Sequence, residues 1–519
     1  MENESRTKKT LLNARINIIC YFLSTIVMFL TRKVLIERLG SDFIGLTGTL
    51  TSLLGFLNIA ESGIGLAISY TLYKPLFNRD RNKINEIISV LGYLYRTIGI
   101  VILLCGVVLS LFLPSIFPDT GFSWAVIYSG FYAFLASSLL GYFVNYKTVL
   151  LSADQRNYIV TGYFQLTSIL KAILQMTLAI YTQSFILYFS IEILFGIVNS
   201  VILNIKIKKT YPWIDSEIKR GKILLKEYTQ IKKNIKQIFV HKIGGFVQYQ
   251  ISPILIYSFV SISTVTLYGN YILISNKLAG LLGSILDSTN ASVGNLVSEG
   301  KSSKIYSIFK ELFYIRIIFS GILAFSFYFL ASKFIILWLG DEFQLNNIAV
   351  ILISIHLFLT VSAGTYHQFL NAFGLFHDVW APLTESAIYI ITSIIFGHLW
   401  GLIGILLGPI FSLSTIIHAW KPYFLYKEGF KIPFWKHIAM VFKSSIAITC
   451  AYLLSNEIYK TYGVEMPNSW IGLFTETILF TATLSIVTYA FSYILLPEMR
   501  SFTLKVLHKI QEILNYKNR

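Results

Sequence analysis

Residues 16–30 read INIICYFLSTIVMFL, an apolar run that follows Lys8-Lys9 and ends just before Arg32-Lys33. Basic residues before an apolar run are also typical of a signal peptide, but no small-residue cleavage site follows this one. A helix needs about 20 mostly apolar residues to cross a bilayer. The stretch therefore predicts a first transmembrane helix with charged residues at both ends.

The composition of the whole chain agrees with a membrane protein. Of its 519 residues, 55% are hydrophobic and only 13% are charged, and the mean hydropathy is +0.65. A soluble domain usually has about 25% charged residues, so this chain lacks the polar side chains that several water-facing domains would need. A soluble multidomain enzyme is excluded.

The net charge of +17 would suggest a nucleic-acid partner in a soluble protein. Here the basic residues fall between apolar stretches and form no continuous face, so we expect no nucleic-acid binding. The three cysteines are far apart in sequence and have no metal-binding spacing. We expect neither a metal nor another cofactor.

Apolar stretches of membrane-spanning length recur along the chain. We count fourteen, centred near residues 23, 57, 101, 136, 169, 194, 249, 276, 321, 360, 391, 412, 449 and 484. Some connections are very short, such as Tyr181–Gln183, as expected for helical hairpins. The sequence predicts an all-α polytopic membrane protein with about fourteen transmembrane helices.

The distribution of basic residues predicts the orientation. If the N-terminus is cytoplasmic, 32 of the 43 Lys and Arg residues lie in cytoplasmic segments, five lie outside and six lie within spans. Because cytoplasmic loops are enriched in Lys and Arg, both termini are expected in the cytoplasm. The outside connections, such as 114–122 and 338–347, are too short to fold into a domain.

A basic segment, Lys206–Lys236, separates two halves of the chain. Leu224, Tyr228 and Ile231 recur in it at helical spacing, which predicts an amphipathic helix on the membrane surface. We expect an N-lobe of six helices (1–205), this cytoplasmic linker (206–236), a C-lobe of six helices (237–426), helices 13 and 14 (427–498) and a basic cytoplasmic tail (499–519).

The two halves carry matching residues in nearly constant register. Gly48 matches Gly269 and Lys83-Ile84 matches Lys304-Ile305 at an offset of 221, while Arg96 matches Arg316 and Tyr146 matches Tyr366 at an offset of 220. A duplicated six-helix unit in parallel orientation is typical of transporters, whose substrate pathway lies between the two halves. The pattern predicts a transporter with two six-helix repeats plus two C-terminal helices.

Seven stretches resemble a known family. They are Arg38–Leu46 (RLGSDFIGL), Ala60–Ala67 (AESGIGLA), Leu72–Leu76 (LYKPL), Leu151–Tyr158 (LSADQRNY), Ala291–Leu296 (ASVGNL), Trp338–Gly340 (WLG) and Lys421–Tyr423 (KPY). Together they resemble the Wzx-type flippases, the polysaccharide exporters of the multidrug/oligosaccharidyl-lipid/polysaccharide exporter (MOP) superfamily. The last 90 residues match only as two further hydrophobic spans.

The resemblance implies a MATE-like fold with two lobes around a central cavity. It implies a flippase that moves undecaprenyl-diphosphate-linked oligosaccharide repeat units across the bacterial inner membrane, for surface polysaccharide, capsule or O-antigen assembly. It also implies membrane lipids and the polysaccharide polymerase and assembly machinery as partners, and a monomer.

Such a substrate combines an anionic diphosphate, a polar glycan and an apolar tail, so its pathway needs cations and polar groups inside the membrane. The eighth span offers Asn270, Lys277, Ser284, Ser288 and Asn295, spaced 7, 7, 4 and 7. At 3.6 residues per turn these side chains stay within about 40° of one helical face. We predict that this polar stripe lines the pathway, with Lys277 facing the diphosphate. Helix–helix packing is the alternative.

Four other intramembrane cations are further candidates. Arg96 and Arg316 occupy matching places in the two repeats and are able to grip a diphosphate from both lobes, unless they snorkel to the headgroups. Lys171 and Lys242 are similar candidates for the cavity.

An acidic residue within a membrane span costs free energy, so it usually has a function or forms an ion pair. Glu61, Asp287 and Glu385 are therefore candidates for coupling transport to a proton or sodium gradient, or for salt bridges to the intramembrane cations.

Three other functions remain open at the level of sequence. A lipid II-type flippase shares the expected fold and chemistry. A multidrug or cation antiporter should favour acids over bases in its cavity, whereas the spans here hold six bases against five acids. A membrane glycan polymerase or ligase is disfavoured because the outside loops are short and no phosphate-binding glycine loop is present. We expect no enzyme.

Overall fold

The computed structural model is built of helices throughout its described part. It describes residues 6–58, 61, 63–118, 120–462, 468–501, 503, 504 and 511, and within these ranges it describes side chains except at 6–11, 13, 14, 17, 18, 233, 234, 236–246, 248, 249, 291 and 462. No strand occurs in these ranges, so the predicted all-α class is confirmed.

The helices follow one another in hairpins. They are α1 (Arg6–Leu39), α2 (Ser41–Asn58), α3 (Ile64–Asn78), α4 (Arg81–Leu111), α5 (Leu113–Ile116), α6 (Trp124–Phe143), α7 (Thr148–Ala153), α8 (Asn157–Thr182), α9 (Phe185–Thr210), α10 (Gly221–Glu227), α11 (Thr229–Phe259), α12 (Ile262–Leu286), α13 (Asn290–Ser298), α14 (Ser302–Leu339), α15 (Asn347–Ser362), α16 (Gly364–Phe373), α17 (Trp380–Trp400), α18 (Leu402–Ser412), α19 (Lys421–Phe424), α20 (Trp435–Tyr462) and α21 (Trp470–Leu495). The π-helical segment Leu413–Trp420 joins α18 to α19, and a second one, Leu425–Phe430, extends α19, so that residues 402–430 form one continuous helical run.

These helices form fourteen consecutive helical segments at the places that the apolar stretches predict. In the described part of the chain, eleven of them are long and apolar enough to cross a membrane. The other three are the second (α2 and α3), the seventh (α11) and the eighth (α12 and α13). The second and eighth are interrupted helices, and the eighth carries the predicted polar stripe.

The chain divides into two compact units, residues 1–266 and residues 267–519. In the first unit, α1 packs along α8 and α6 packs along α9; in the second, α17 packs along α18 and α20 along α21. The last two helices also contact α14, where Phe329 stacks on Phe480 with ring centroids 3.9 Å apart. The two C-terminal helices are thus an integral part of the second unit.

The signature Arg38–Leu46 forms a sharp helical corner. Gly40 separates α1 from α2 with a φ of 91°, a conformation that favours glycine. Asp42 then accepts a hydrogen bond from Ser263 Oγ at 2.5 Å, and a side chain at Gly45 would overlap the backbone carbonyl of Ile262. The motif therefore fixes the start of α12 against α2 within the first unit.

The basic linker packs on α4. The helix α9 extends to Thr210 and α11 begins at Thr229, so only residues 211–228 connect them. In this stretch the Tyr228 hydroxyl donates to Glu86 at 2.7 Å, and burial together with that carboxylate raises the pKa of Tyr228. Leu224 is buried. The helix α10, which carries Leu224, thus packs on α4, and Ile231 at the start of α11 is buried as well.

Cysteine labelling tests the predicted orientation. In a variant lacking Cys20, Cys105 and Cys450, we expect a membrane-impermeant maleimide to label Glu342→Cys in intact cells and Lys226→Cys only after lysis. Both side chains are exposed, and they lie in loops predicted outside and inside, respectively. The cysteine-free parent is the control, and the opposite labelling pattern would overturn the orientation.

Candidate functional site

The second helical segment of each repeat is interrupted, and each interruption carries an acid. The helix α2 ends at Asn58 and α3 begins at Ile64, with Glu61 between them, and a single 3-10 turn, Asp287–Thr289, separates α12 from α13. Interrupted helices at corresponding positions of two repeats mark the binding sites of many transporters. Each interruption is therefore the centre of a candidate site within its own unit.

Asp287 forms an ion pair with Arg316 of α14. Arg316 is buried, at 4% exposure, and also donates through Nη1 to the Val361 carbonyl at 3.4 Å. The Asp287 side chain, in contrast, is 49% exposed. Arg316 therefore acts as a buried counter-charge that holds a solvent-accessible carboxylate at the helix interruption.

Tyr95 occupies the corresponding position in the first repeat. Its hydroxyl donates to Glu61 at 2.7 Å, and the register of 221 that matches Lys83 with Lys304 also matches Tyr95 with Arg316. Arg96, the next residue of α4, is exposed, as is Ile100 one turn later. The structure thus buries Arg316 but not Arg96, and Tyr95 is the residue that contacts an acid at the matching place. The joint binding of a diphosphate by Arg96 and Arg316 stays a prediction.

The polar stripe of the eighth segment divides into a buried and an exposed part. Asn270 is fully buried, so it belongs to the packed interior. Lys277 is half-buried, while Ser284, Ser288 and Asn295 are exposed. The accessible part of the stripe thus begins near Lys277 and continues past the interruption.

The helix α16 extends this polar surface. It packs against α13, and its Gln368 donates to Thr289 Oγ1 of the 3-10 turn at 2.8 Å. His367, which follows one turn after Gly364, is exposed. An isolated histidine in a helix gives no sequence signal of a site, and only the packing of α16 on α13 places His367 beside the stripe.

We define the polar face as the accessible side chains gathered here. Its members are Lys277, Ser284, Asp287, Ser288, Asn295 and His367. The face offers one ammonium group, one carboxylate backed by a guanidinium, two hydroxyls, an amide and an imidazole. This set is able to hydrogen-bond a polyhydroxylated or anionic ligand, since it has both donors and acceptors along about five turns of helix.

Lys171 is bound within the first unit. Its ammonium lies 2.8 Å from Glu192 Oε1 and 2.9 Å from Oε2, which ties α8 to α9. Lys242 lies in α11, and its side chain is outside the described residues. Glu385 is buried on α17, where its backbone carbonyl accepts a hydrogen bond from Ser412 at 2.8 Å. None of these three is placed on the polar face.

Sequence reasoning also missed ion pairs, among them one that is buried and one whose lysine is exposed. Lys421 lies 2.7 Å from Asp378, which also accepts from Trp420 Nε1 at 3.1 Å. Lys333 pairs with Glu476 of α21. The partners are 43 and 143 residues apart, so no local pattern reveals them.

Solved structures share this fold, although no protein-family model and no curated protein matches the sequence significantly. A structure described as the lipid II flippase MurJ, inward closed, matches with a TM-score of 0.66 and 15% identity, covering 92% of this chain and 98% of that one. An inward-facing multidrug resistance MATE family transporter of the MOP superfamily gives 0.54 and 14%, with 78% and 94% covered.

A third match is a MOP superfamily transporter from Pyrococcus furiosus, with a TM-score of 0.52 and 13% identity, covering 81% of this chain and 96% of that one. At such identities the likeness establishes the fold alone. The predicted MATE-like architecture is confirmed.

Gly364→Ala tests the packing that holds Arg316. A methyl group at position 364 would overlap the guanidinium. Arg316 would then have to move away from Asp287 and from the Val361 carbonyl, and displacing one partner of an ion pair is destabilising. We expect a markedly lower thermal unfolding temperature of the purified protein in detergent. Gly294→Ala is the matched control, because a Cβ there meets nothing within 4 Å. Equal stability of the two variants would contradict the packing argument.

Proposed function

We propose that this protein is a flippase that moves undecaprenyl-diphosphate-linked oligosaccharide repeat units from the cytoplasmic to the outer leaflet by alternating access. The observation that carries the proposal is the polar face with Lys277 in a bundle whose other surfaces are largely apolar. A polar surface at membrane depth needs water or a polar ligand against it. A lipid-linked glycan supplies such a ligand while its tail stays in lipid.

The ammonium group of Lys277 on the polar face supports an anionic substrate. Arg316 and Lys171 are each occupied by a carboxylate, so their charge is neutralised within the protein. Lys277 lies on the accessible stripe, seven residues before Ser284. In the proposal its ammonium contacts the diphosphate, and the hydroxyls and Asn295 contact the sugars.

Asp287 is the residue through which an ion gradient would act. Its carboxylate is accessible, and its charge balances a buried guanidinium. Adding a proton or sodium ion there changes the charge balance of the pair and biases the position of the interrupted helix. Glu61, which is hydrogen-bonded to Tyr95, would be the weaker coupling site because its partner carries no charge.

The proposal includes a location in the bacterial cytoplasmic membrane with both termini in the cytoplasm. The polysaccharide polymerase and assembly machinery would take the exported repeat units. The protein would act as a monomer, because each chain holds both repeats. A lipid II-type flippase is the second candidate, since the fold is that of a structure described as one.

Gene deletion in the native host tests the function. We expect complete undecaprenyl-diphosphate-linked repeat units to accumulate on the cytoplasmic side, because synthesis continues while export stops. Accumulation of lipid II would favour the second candidate. Greater sensitivity to cationic drugs with no accumulated lipid would instead support a multidrug antiporter, and an incomplete glycan would indicate an enzyme.

Lys277→Ala tests the central cation. We expect export of the repeat unit to fall about ten-fold or more, because a hydrogen bond to a charged group contributes about 1.5–3 kcal/mol. Lys277→Arg should keep most activity. Lys219→Ala, which removes an exposed lysine of the linker, is the control. Normal export by Lys277→Ala at normal membrane levels would refute the role of the stripe.

A further inference from the structure

The helix α3 presents large aromatic rings on its exposed side. Tyr70 is 69% exposed, Tyr73 54% and Phe77 73%, and Lys74 is exposed beside them. These residues recur every three to four positions, so they form one face of the helix. We call Tyr70, Tyr73, Lys74 and Phe77 the aromatic face.

The opposite side of α3 is packed into the first unit. Leu72 and Pro75 are buried there, and α3 contacts α4, α7 and α11. In the register of 221, these two residues match Val293 and Leu296 of α13, which are buried as well. The two helices are therefore equivalent elements that pack through the same side.

The exposed side of α13 is polar. Asn295 and Ser298 are exposed, and they match Lys74 and Phe77 in the same register. Polar groups in membrane-spanning segments face water or protein, because lipid offers them no hydrogen bonds. By equivalence of the repeats, the aromatic face also belongs to a hydrated surface.

The exposed side of α4 has a different composition. The exposed residues of α4 include Ile100, Leu103, Leu104 and Val107, which are all aliphatic. The aromatic face instead combines two phenol hydroxyls, a phenyl ring and an ammonium group. Such a surface on a hydrated side is typical of a ligand site, since exposed apolar rings are costly in water unless something covers them.

We propose that the aromatic face binds the sugar rings of the transported lipid-linked glycan. The inference rests on the proposed flippase function and names the protein surface that selects the glycan. One side of a pyranose ring carries mainly C–H groups, which pack on an aromatic ring, while its hydroxyls reach polar groups at the edge. Tyr70 and Tyr73 present two rings 6.3 Å apart and inclined by 72°, and their hydroxyls and Lys74 supply the polar edge.

Photo-crosslinking tests this site for a glycan of any sugar composition. With Tyr73→p-benzoylphenylalanine expressed in the native host, we expect illumination to join position 73 to a lipid-linked sugar, identified by mass spectrometry of the digested protein. Ile100→p-benzoylphenylalanine is the control and should give phospholipid adducts only. Adducts at position 73 that contain only phospholipid, only another segment of this chain, or nothing would each overturn the proposal.

Variants of Tyr70 and Tyr73 test whether export depends on the aromatic rings of these two residues. We expect Tyr70→Ala with Tyr73→Ala to lower export about ten-fold, and Tyr70→Phe with Tyr73→Phe to retain most of it because the rings remain. If the alanine variant exports normally while the deletion strain accumulates repeat units, the aromatic face has no role but the flippase function stands. If the deletion strain accumulates no lipid-linked glycan, the function itself fails.

Discussion

The ion pair between Asp287 and Arg316 joins an interrupted helix to its neighbour inside the membrane-embedded part of the second unit. A guanidinium at this depth is expensive without a counter-charge, and removing one partner of a buried pair is strongly destabilising. The pair therefore fixes where α12 breaks. It also leaves Gly364 no room for a side chain, and it places one carboxylate on an otherwise uncharged stretch of the polar face. The accessible surface of the second repeat is organised around it.

In the first repeat, the residues at the helix interruption are held by uncharged partners. Glu61 is held by the Tyr95 hydroxyl, and Asn58 accepts hydrogen bonds from Ser138 and Tyr142 of α6. The groups that hold Glu61 and Asn58 at these contacts are hydroxyls, which carry no charge. Duplicated halves with one backbone plan have thus diverged in what they expose after the interruption, since α13 offers amide and hydroxyl groups and α3 offers aromatic rings.

Much of the fold follows from hydropathy, because a helix is the cheapest way to satisfy backbone hydrogen bonds in lipid. All fourteen predicted segments are present as helices. The site was less predictable. Spacing alone placed Asn270 and Ser284 on one stripe, but Asn270 is buried and Ser284 exposed, since burial depends on the neighbouring helices. The same limit applies to Arg96, which is exposed while Arg316 is buried, although the two match at an offset of 220.

The sequence by itself determined that lipid surrounds much of this protein. It also determined the number and order of the helices and the repeat that relates the two halves, because each of these depends on local composition and periodicity. Only the tertiary structure decided which charged side chains are neutralised by an ion pair and which remain accessible. Lys171 is neutralised by Glu192 and Lys421 by Asp378, whereas Asp287 keeps half of its surface open. The physical reason is that the energy of a charge depends on its partners and on the water around it, and both are brought together by residues distant in sequence.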